Sequence, residues 1–284
     1  MTAQQETLFA FGLGYSAKVL AEQLRHRRWR IIGTSRSEDG AERLSAAGFE
    51  GVIFDGSAAP EIPVGAHWLV SIPPDEDGCP AVHACREMAA QAASVTYLST
   101  TGVYGDLQGG WAFEWTAVNP QSGRADRRVK AESQWRACCP NVRIVRLPGI
   151  YGPSRSPIDR IKDGSAQRIV KRGQVFSRIH VEDIAAGLHA LLTRPAETGV
   201  FHLCDDEAAP PQDVTAFAAR LMGLEPSPEI AFEDAELSAM ARSFYSECKR
   251  VSNARAKAAL DWTPRYPTYR EGLHAIWNGP PIRS

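Results

Sequence analysis

Thr7-Leu8-Phe9-Ala10-Phe11-Gly12-Leu13-Gly14-Tyr15-Ser16-Ala17 decides the reading of this chain. Thr7 to Phe11 reads as a strand buried on both faces. From Ser16 a helical pattern sets Val19, Leu20 and Leu24 on one face. Between them, Gly12-x-Gly14-x-x-Ala17 follows a strand and opens a helix, the context a dinucleotide-binding turn requires. Gly12 permits the tight turn, and Gly14 lets the backbone approach a pyrophosphate with no Cβ in the way. Ala17 is small enough for close helix–strand packing. Tyr15 and Ser16 complete the first turn, whose free amides suit phosphate oxygens.

Outward from this turn, short apolar runs alternate with amphipathic stretches. Trp29–Thr34 reads as a second strand and Glu38–Ala47 as a second helix, ending at Gly48. Val52–Phe54 and His67–Ile72 follow as strands three and four, then a helix over Ala81–Ala93 and strand five at Val95–Ser99. A long helix spans Gly123–Cys138, stopped by Pro140, and Val142–Leu147 is strand six. Such alternation with continuous apolar strands predicts an α/β fold, a Rossmann-type doubly wound parallel sheet. After Pro148 the texture changes. Strand-like Val175–Ile179 runs into a helix at Val181–Thr193, and Val200–Cys204 adds a strand. Helices are expected at Val214–Met222, Asp234–Ser243, Ala254–Leu260 and Tyr269–Trp277. We expect a dinucleotide-binding domain over 1–150. Residues 151–284 would then interleave sheet-completing segments with a small, reduced C-terminal substrate lobe.

Charge and composition narrow the function classes. A formal net charge of -1 argues against nucleic acid or an anionic membrane as partner. The one dense basic run, Arg25-His26-Arg27-Arg28, falls where the first helix should end and suits its dipole. Six cysteines show no C-x-x-C pair and no metal-like spacing with histidine, so no metal is expected and free thiols fit a reducing compartment. No run has the composition of a secretory leader or approaches the roughly 20 apolar residues of a membrane span. A soluble, cytoplasmic protein is the expectation.

Cofactor selection rests on the end of strand two, Gly33-Thr34-Ser35-Arg36-Ser37. NAD would call for an acid there to hold the ribose 2′-hydroxyl, and none occurs before Glu38. Arg36 would instead pair with a 2′-phosphate, with Thr34, Ser35 or Ser37 as neutral donors, so NADP is expected over NAD. Asp55, just after strand three, is placed either to meet the adenine edge or to cap a turn. Ser71 near the end of strand four and Pro148 beyond strand six join the cofactor-binding set.

Three further segments carry a family resemblance: Tyr97-Leu98-Ser99-Thr100-Thr101-Gly102-Val103-Tyr104-Gly105-Asp106, Arg146-Leu147-Pro148-Gly149-Ile150-Tyr151-Gly152-Pro153, and Arg178-Ile179-His180-Val181-Glu182-Asp183-Ile184-Ala185. With the glycine turn they resemble extended short-chain dehydrogenases/reductases, the NAD(P)-dependent epimerase/dehydratase group, in order and over most of the chain. The resemblance implies an oxidoreductase with a Ser/Thr near strand five that orients substrate, a Tyr that moves the proton, and a Lys one helical turn on that lowers the Tyr pKa and binds the nicotinamide ribose. Thr100 stands at the Ser/Thr position and Lys130 at the lysine. The tyrosine position is then Asp126, and its helix contains no tyrosine. An aspartate there cannot reproduce a phenol whose ordinary pKa is about 10.

Three accounts stay open. A replacement acid serves, with Tyr104, Tyr151 and His180 as candidates; Asp126 supports different chemistry; or the chain binds dinucleotide as a regulator or sensor without redox turnover. Each candidate also has a structural reading, as a core tyrosine, a hydrogen-bonded histidine or a solvated lysine. Sugar-nucleotide members insert a long segment before the His-Val-x-Asp motif, whereas Gly152 to Arg178 is only about 26 residues here. A small polar substrate is therefore expected, anionic if Arg124 and Arg178 hold it bidentately. The shortened lobe and missing tyrosine resemble the atypical subgroup of the family. A homodimer through the helices flanking strands five and six is what the family implies.

Overall fold

The computed structural model describes residues 5–279. In chain order the first half runs β1 (Thr7–Phe11), α1 (Tyr15–His26), β2 (Arg30–Ser35), α2 (Glu38–Ala46), β3 (Glu50–Ile53), β4 (His67–Val70), α3 (Pro80–Cys85), β5 (Ser94–Thr100), β6 (Trp111–Ala112), α4 (Gly123–Cys138) and β7 (Arg143–Leu147). The second half runs β8 (Gly149–Tyr151), α5 (Pro157–Lys162), β9 (Arg168–Val170), β10 (Arg178–His180), α6 (Val181–Leu192), β11 (Gly199–His202), α7 (Pro211–Leu221), β12 (Glu229–Ala231), α8 (Ala239–Phe244), β13 (Arg250–Val251), α9 (Ala254–Leu260) and α10 (Tyr269–Asn278).

Seven parallel strands form the central sheet in the order β11-β7-β5-β4-β1-β2-β3, the doubly wound arrangement expected. Strand β1 explains why it closes on both faces. Leu8 and Ala10 point into one core with Leu20 and Leu24 of α1 and Ile184 and Leu188 of α6. Phe9 and Phe11 point into the other, with Trp68, Tyr97, and Trp135 of α4. Phe11 meets Phe54 and Trp68 edge-on at 5.3 and 5.4 Å between ring centroids. Burying one such ring contributes on the order of 2–3 kcal/mol.

The basic run does end α1, with Arg25 and His26 in its last turn. Gly48 lies just past α2 with φ +84°, a left-handed stop. The helix expected over Ala81–Ala93 is instead α3 followed by a 3₁₀ segment, Arg86–Gln91. Hydrogen bonds from Gly65 N to Gln91 O and from Ala93 N to Ala66 O draw that end to the base of β4, off the α spacing. The helix expected at Asp234–Ser243 shrinks to α8, none of whose residues is buried. The short strands β6, β8, β9, β12 and β13 have too few residues for periodicity to mark them. The strand expected at Val175 begins only at Arg178, because Phe176 bridges instead to Ala209. Beyond the sheet, α5, α7 and α10 share a small core of Ile158, Val214, Ala218, Tyr269 and Leu273. No helix among the described residues is long and apolar enough to cross a membrane.

Candidate functional site

The strand order reverses beside β1, between β4 and β2, and the crevice that a doubly wound sheet forms outside its carboxyl strand ends there falls at the glycine turn. Gly12 has φ +80°, and its amide donates to Thr34 Oγ1 at 2.9 Å while its carbonyl accepts from Ser71 Oγ at 2.7 Å. A Cβ on Gly12 would stand 2.8 Å from Ile72 Cγ2. Gly14 differs: it caps α1 with no side-chain hydrogen bond, and a Cβ there would meet nothing within 4 Å. The first turn of α1 carries no acid. Open space, uncapped amides and the positive helix end together fit a pyrophosphate. Ser16 and Ala17 are buried in helix packing, and the Tyr15 hydroxyl donates to Pro153 O at 2.9 Å, tying the turn to the loop after β8.

At the adenosine end, Thr34 is buried and its Oγ1 accepts from Gly12 N, which ties the end of β2 to the glycine turn. Ser37 caps α2, accepting from Gly40 N at 3.3 Å, and Ser35 Oγ accepts from Ser37 N at 3.5 Å. Arg36 is exposed and has no hydrogen-bond or ion-pair partner among the described residues. Asp55 takes the turn role: it accepts from the Ser57 amide (2.9 Å) and hydroxyl (2.7 Å), chiefly the hydroxyl holding its pKa below the ordinary value. Pro148 is half-buried between β7 and β8.

At the other end, Thr100 closes β5 and its Oγ1 accepts from Gly102 N at 3.1 Å. That leaves its O–H free to donate. Tyr104 is fully buried. Its hydroxyl donates to His202 Nε2 at 2.6 Å and accepts from Arg146 Nη1 at 2.7 Å, and burial pushes its pKa up to about 12. Tyr151 lies against Gly272 of α10 and donates weakly to Thr268 O at 3.4 Å, burial raising its pKa. His180 accepts from Glu182 N at 3.2 Å, capping α6, with its ring edge-on to Tyr151 and Tyr266. Burial lowers its pKa to about 4, so it is neutral, and its Nε2–H has no partner among the described residues. Each of these three side chains is closed into the fold. Asp126 is exposed in the first turn of α4. Lys130 is half exposed and donates to Glu76 O at 2.8 Å, on the loop after β4. Arg178 donates to the Phe176 and Ala209 carbonyls at 2.8 and 3.0 Å, bracing the lobe.

Sequence reasoning passed over a buried polar network beneath Thr100. Glu132 of α4 takes a bidentate pair from Arg146 of β7 (3.0 and 2.6 Å) and a hydrogen bond from Ser99 Oγ at 2.6 Å. Arg146 continues to Tyr104, Tyr104 to His202, and His202 Nδ1–H to Ser252 O at 2.9 Å. Both Glu132 and Arg146 are at most 3% exposed. The four-residue spacing of Arg124, Arg128 and Glu132 was the available signal, since it marks one face of a helix.

No family model matches the chain. Protein YeeZ of Escherichia coli (strain K12) is 28% identical over 236 residues, covering 76% of this chain and 83% of that protein. Among solved structures, human epimerase family protein SDR39U1 with NADPH superposes with a TM-score of 0.75 at 15% identity, covering 96% of this chain and 99% of that one. The dTDP-glucose 4,6-dehydratase of Bacillus anthracis in complex with NAD gives 0.73 at 15% identity, covering 97% and 96%. These two likenesses establish the fold. A conserved protein of unknown function from Silicibacter pomeroyi DSS is 47% identical, with a TM-score of 0.89, over 96% of this chain and 99% of that one. The chain belongs to the family of that Silicibacter protein, built on the Rossmann-like fold of the NAD-binding epimerase/dehydratases.

Proposed function

We propose that the protein is an NADP(H)-dependent oxidoreductase of the epimerase/dehydratase type, acting on a small polar carbonyl or alcohol. The observation that carries this reading is the uncapped amino end of α1 beneath the open face of Gly14. The unpartnered Arg36, on a β2 end without a carboxylate before Glu38, supports NADP(H) over NAD(H). A bound nicotinamide would supply or accept the hydride.

The chain's own residues do the rest. Gly12 and Gly14 admit the phosphates, and Arg36 with Ser35 holds the 2′-phosphate. Thr100 donates its O–H to the substrate oxygen and orders the water that furnishes the proton, since no phenol lies on α4. Lys130 braces the Glu76–Asp77 loop beside the nicotinamide end. A second reading, a dinucleotide-binding regulator without turnover, draws support from the burial of Tyr104, Tyr151 and His180.

Fluorescence titration with NADPH and NADH, followed by absorbance assays on small aldehydes, ketones and sugar acids, tests the proposal. NADPH is expected to bind more tightly than NADH, and Arg36→Ala to remove most of the difference. Thr100→Val should lower kcat/KM with unchanged NADPH affinity. Tight NADPH binding without turnover of any substrate favours the regulator, and a preference for NADH removes the role given to Arg36.

A further inference from the structure

Five cations lie on α4, namely Arg124, Arg127, Arg128, Lys130 and Arg136. Three have a carboxylate within reach: Arg127 has Glu76 at 3.6 Å, Lys130 has Asp77 at 4.0 Å, and Arg136 shares Glu132 with Arg146, at 3.3 Å. Arg124 and Arg128 have no carboxylate within ion-pair reach among the described residues. By helical phase they are the two cations nearest the buried side of the helix, Arg128 half-buried and Arg124 exposed. The buried positions Ala125, Ala131, Glu132 and Trp135 define that side, and Arg128 lies one turn before Glu132, with Arg124 one turn before Arg128. Asp126 and Lys130, two residues to either side of Arg128, point roughly 160° away from it.

Where Arg128 ends is equally specific. The ladder between β4 and β5 stops at Val70–Tyr97. Just beyond the last rung, Arg128 Nη1 donates to Leu98 O at 2.7 Å and to the Tyr97 hydroxyl at 3.0 Å, with its guanidinium carbon 5.6 Å from the Tyr97 ring centroid. One corner of the guanidinium is thus fixed where β4 and β5 part, two residues before Thr100. Its Nε and Nη2 have no partner among the described residues. A carboxylate has two oxygens that match such a fork.

We propose that Arg128, with Arg124 one turn nearer the mouth, forms an anion clamp at the β4–β5 end of the crevice and takes the carboxylate of a small carboxylate-bearing substrate. As a substrate assignment this rests on the oxidoreductase reading above; as an anion site it stands apart from it. Arg128, rather than Lys130, is then the cation of α4 that reaches the reacting end.

Oxalate serves as the probe, titrated calorimetrically at low ionic strength into the full chain with and without saturating NADP+, beside a separate NADPH titration. Saturable oxalate binding is expected, weakened about tenfold or more in Arg128→Leu and Arg124→Leu and partly kept in Arg128→Lys. Arg127→Leu should leave it unchanged, and thermal unfolding confirms that each variant folds. Absence of oxalate binding to the wild type, or unchanged affinity in both leucine variants, overturns the clamp. So does a loss of NADPH affinity in Arg128→Leu with oxalate affinity retained, which would make Arg128 a ribose contact. Arginine-dependent oxalate binding by a protein that binds neither NADPH nor NADH keeps the clamp and removes the oxidoreductase reading.

Discussion

Two glycines two positions apart do different work, and single substitutions separate them. Gly12 is both left-handed and crowded, at φ +80° and with Ile72 Cγ2 2.8 Å from where a Cβ would stand. Gly12→Ala should therefore cost about 1–3 kcal/mol of stability as well as NADPH affinity. Gly14 has an ordinary φ of -80° and empty space before it. Gly14→Ala should leave the urea midpoint unchanged yet weaken NADPH roughly tenfold, because the methyl takes the room of the pyrophosphate. Equal NADPH affinity in Gly14→Ala and wild type would remove the phosphate from that space. Both glycines were legible from spacing alone. The contact of Thr34 was not: it stood with Ser35 and Ser37 as an alternative neutral donor to the cofactor, and its side chain turns inward to Gly12. Strand alternation gives the face, while the partner depends on how β1 and β2 lie in register.

At the level of elements, the Glu132–Arg146 pair fixes α4 over β5 and β7, and so fixes the face that Arg128 occupies. Glu132→Ala leaves a buried guanidinium unpaired and should cost roughly 3–5 kcal/mol. The double variant Glu132→Leu/Arg146→Met should lose less than either single change, and a double variant as unstable as the sum of the singles would contradict a pair held by mutual need. His202, at the far end of the network on β11, gives a pH-dependent check. Burial chiefly lowers its pKa from 6.5 to about 4. Its contribution to stability is therefore complete above pH 6.5 and is lost as pH falls toward 4. Between pH 7 and 5, His202→Gln should lose about 2 kcal/mol less stability than wild type. Asp183, raised by burial from 3.8 to about 6, works in the opposite sense, favouring the fold at lower pH. It is common to both proteins and cancels in the comparison; equal slopes in urea unfolding would place the acid sensitivity elsewhere.

For the whole molecule, a ligand bound only by the native state raises stability by mass action. NADPH at a hundredfold excess over its Kd should add about 2.7 kcal/mol to urea unfolding, and NADH at the same concentration less. Identical shifts for the two cofactors would dissolve the selectivity assigned to Arg36. The seven-stranded sheet was largely readable beforehand, because strands buried on both faces write themselves as apolar runs and each crossover helix carries its own stripe. The lobe was less so: its strands have two or three residues and its helices six to eleven, too few for a period to register. By itself, the sequence determined the doubly wound sheet, the glycine turn at its crevice and the absence of a tyrosine on α4, since these depend on local pattern and spacing. Only the tertiary structure decided that Arg128 reaches the end of β5, that Tyr104, Tyr151 and His180 are sealed into the fold, and that Glu132 and Arg146 meet. Those outcomes depend on contacts between residues far apart in the chain, which no local pattern encodes.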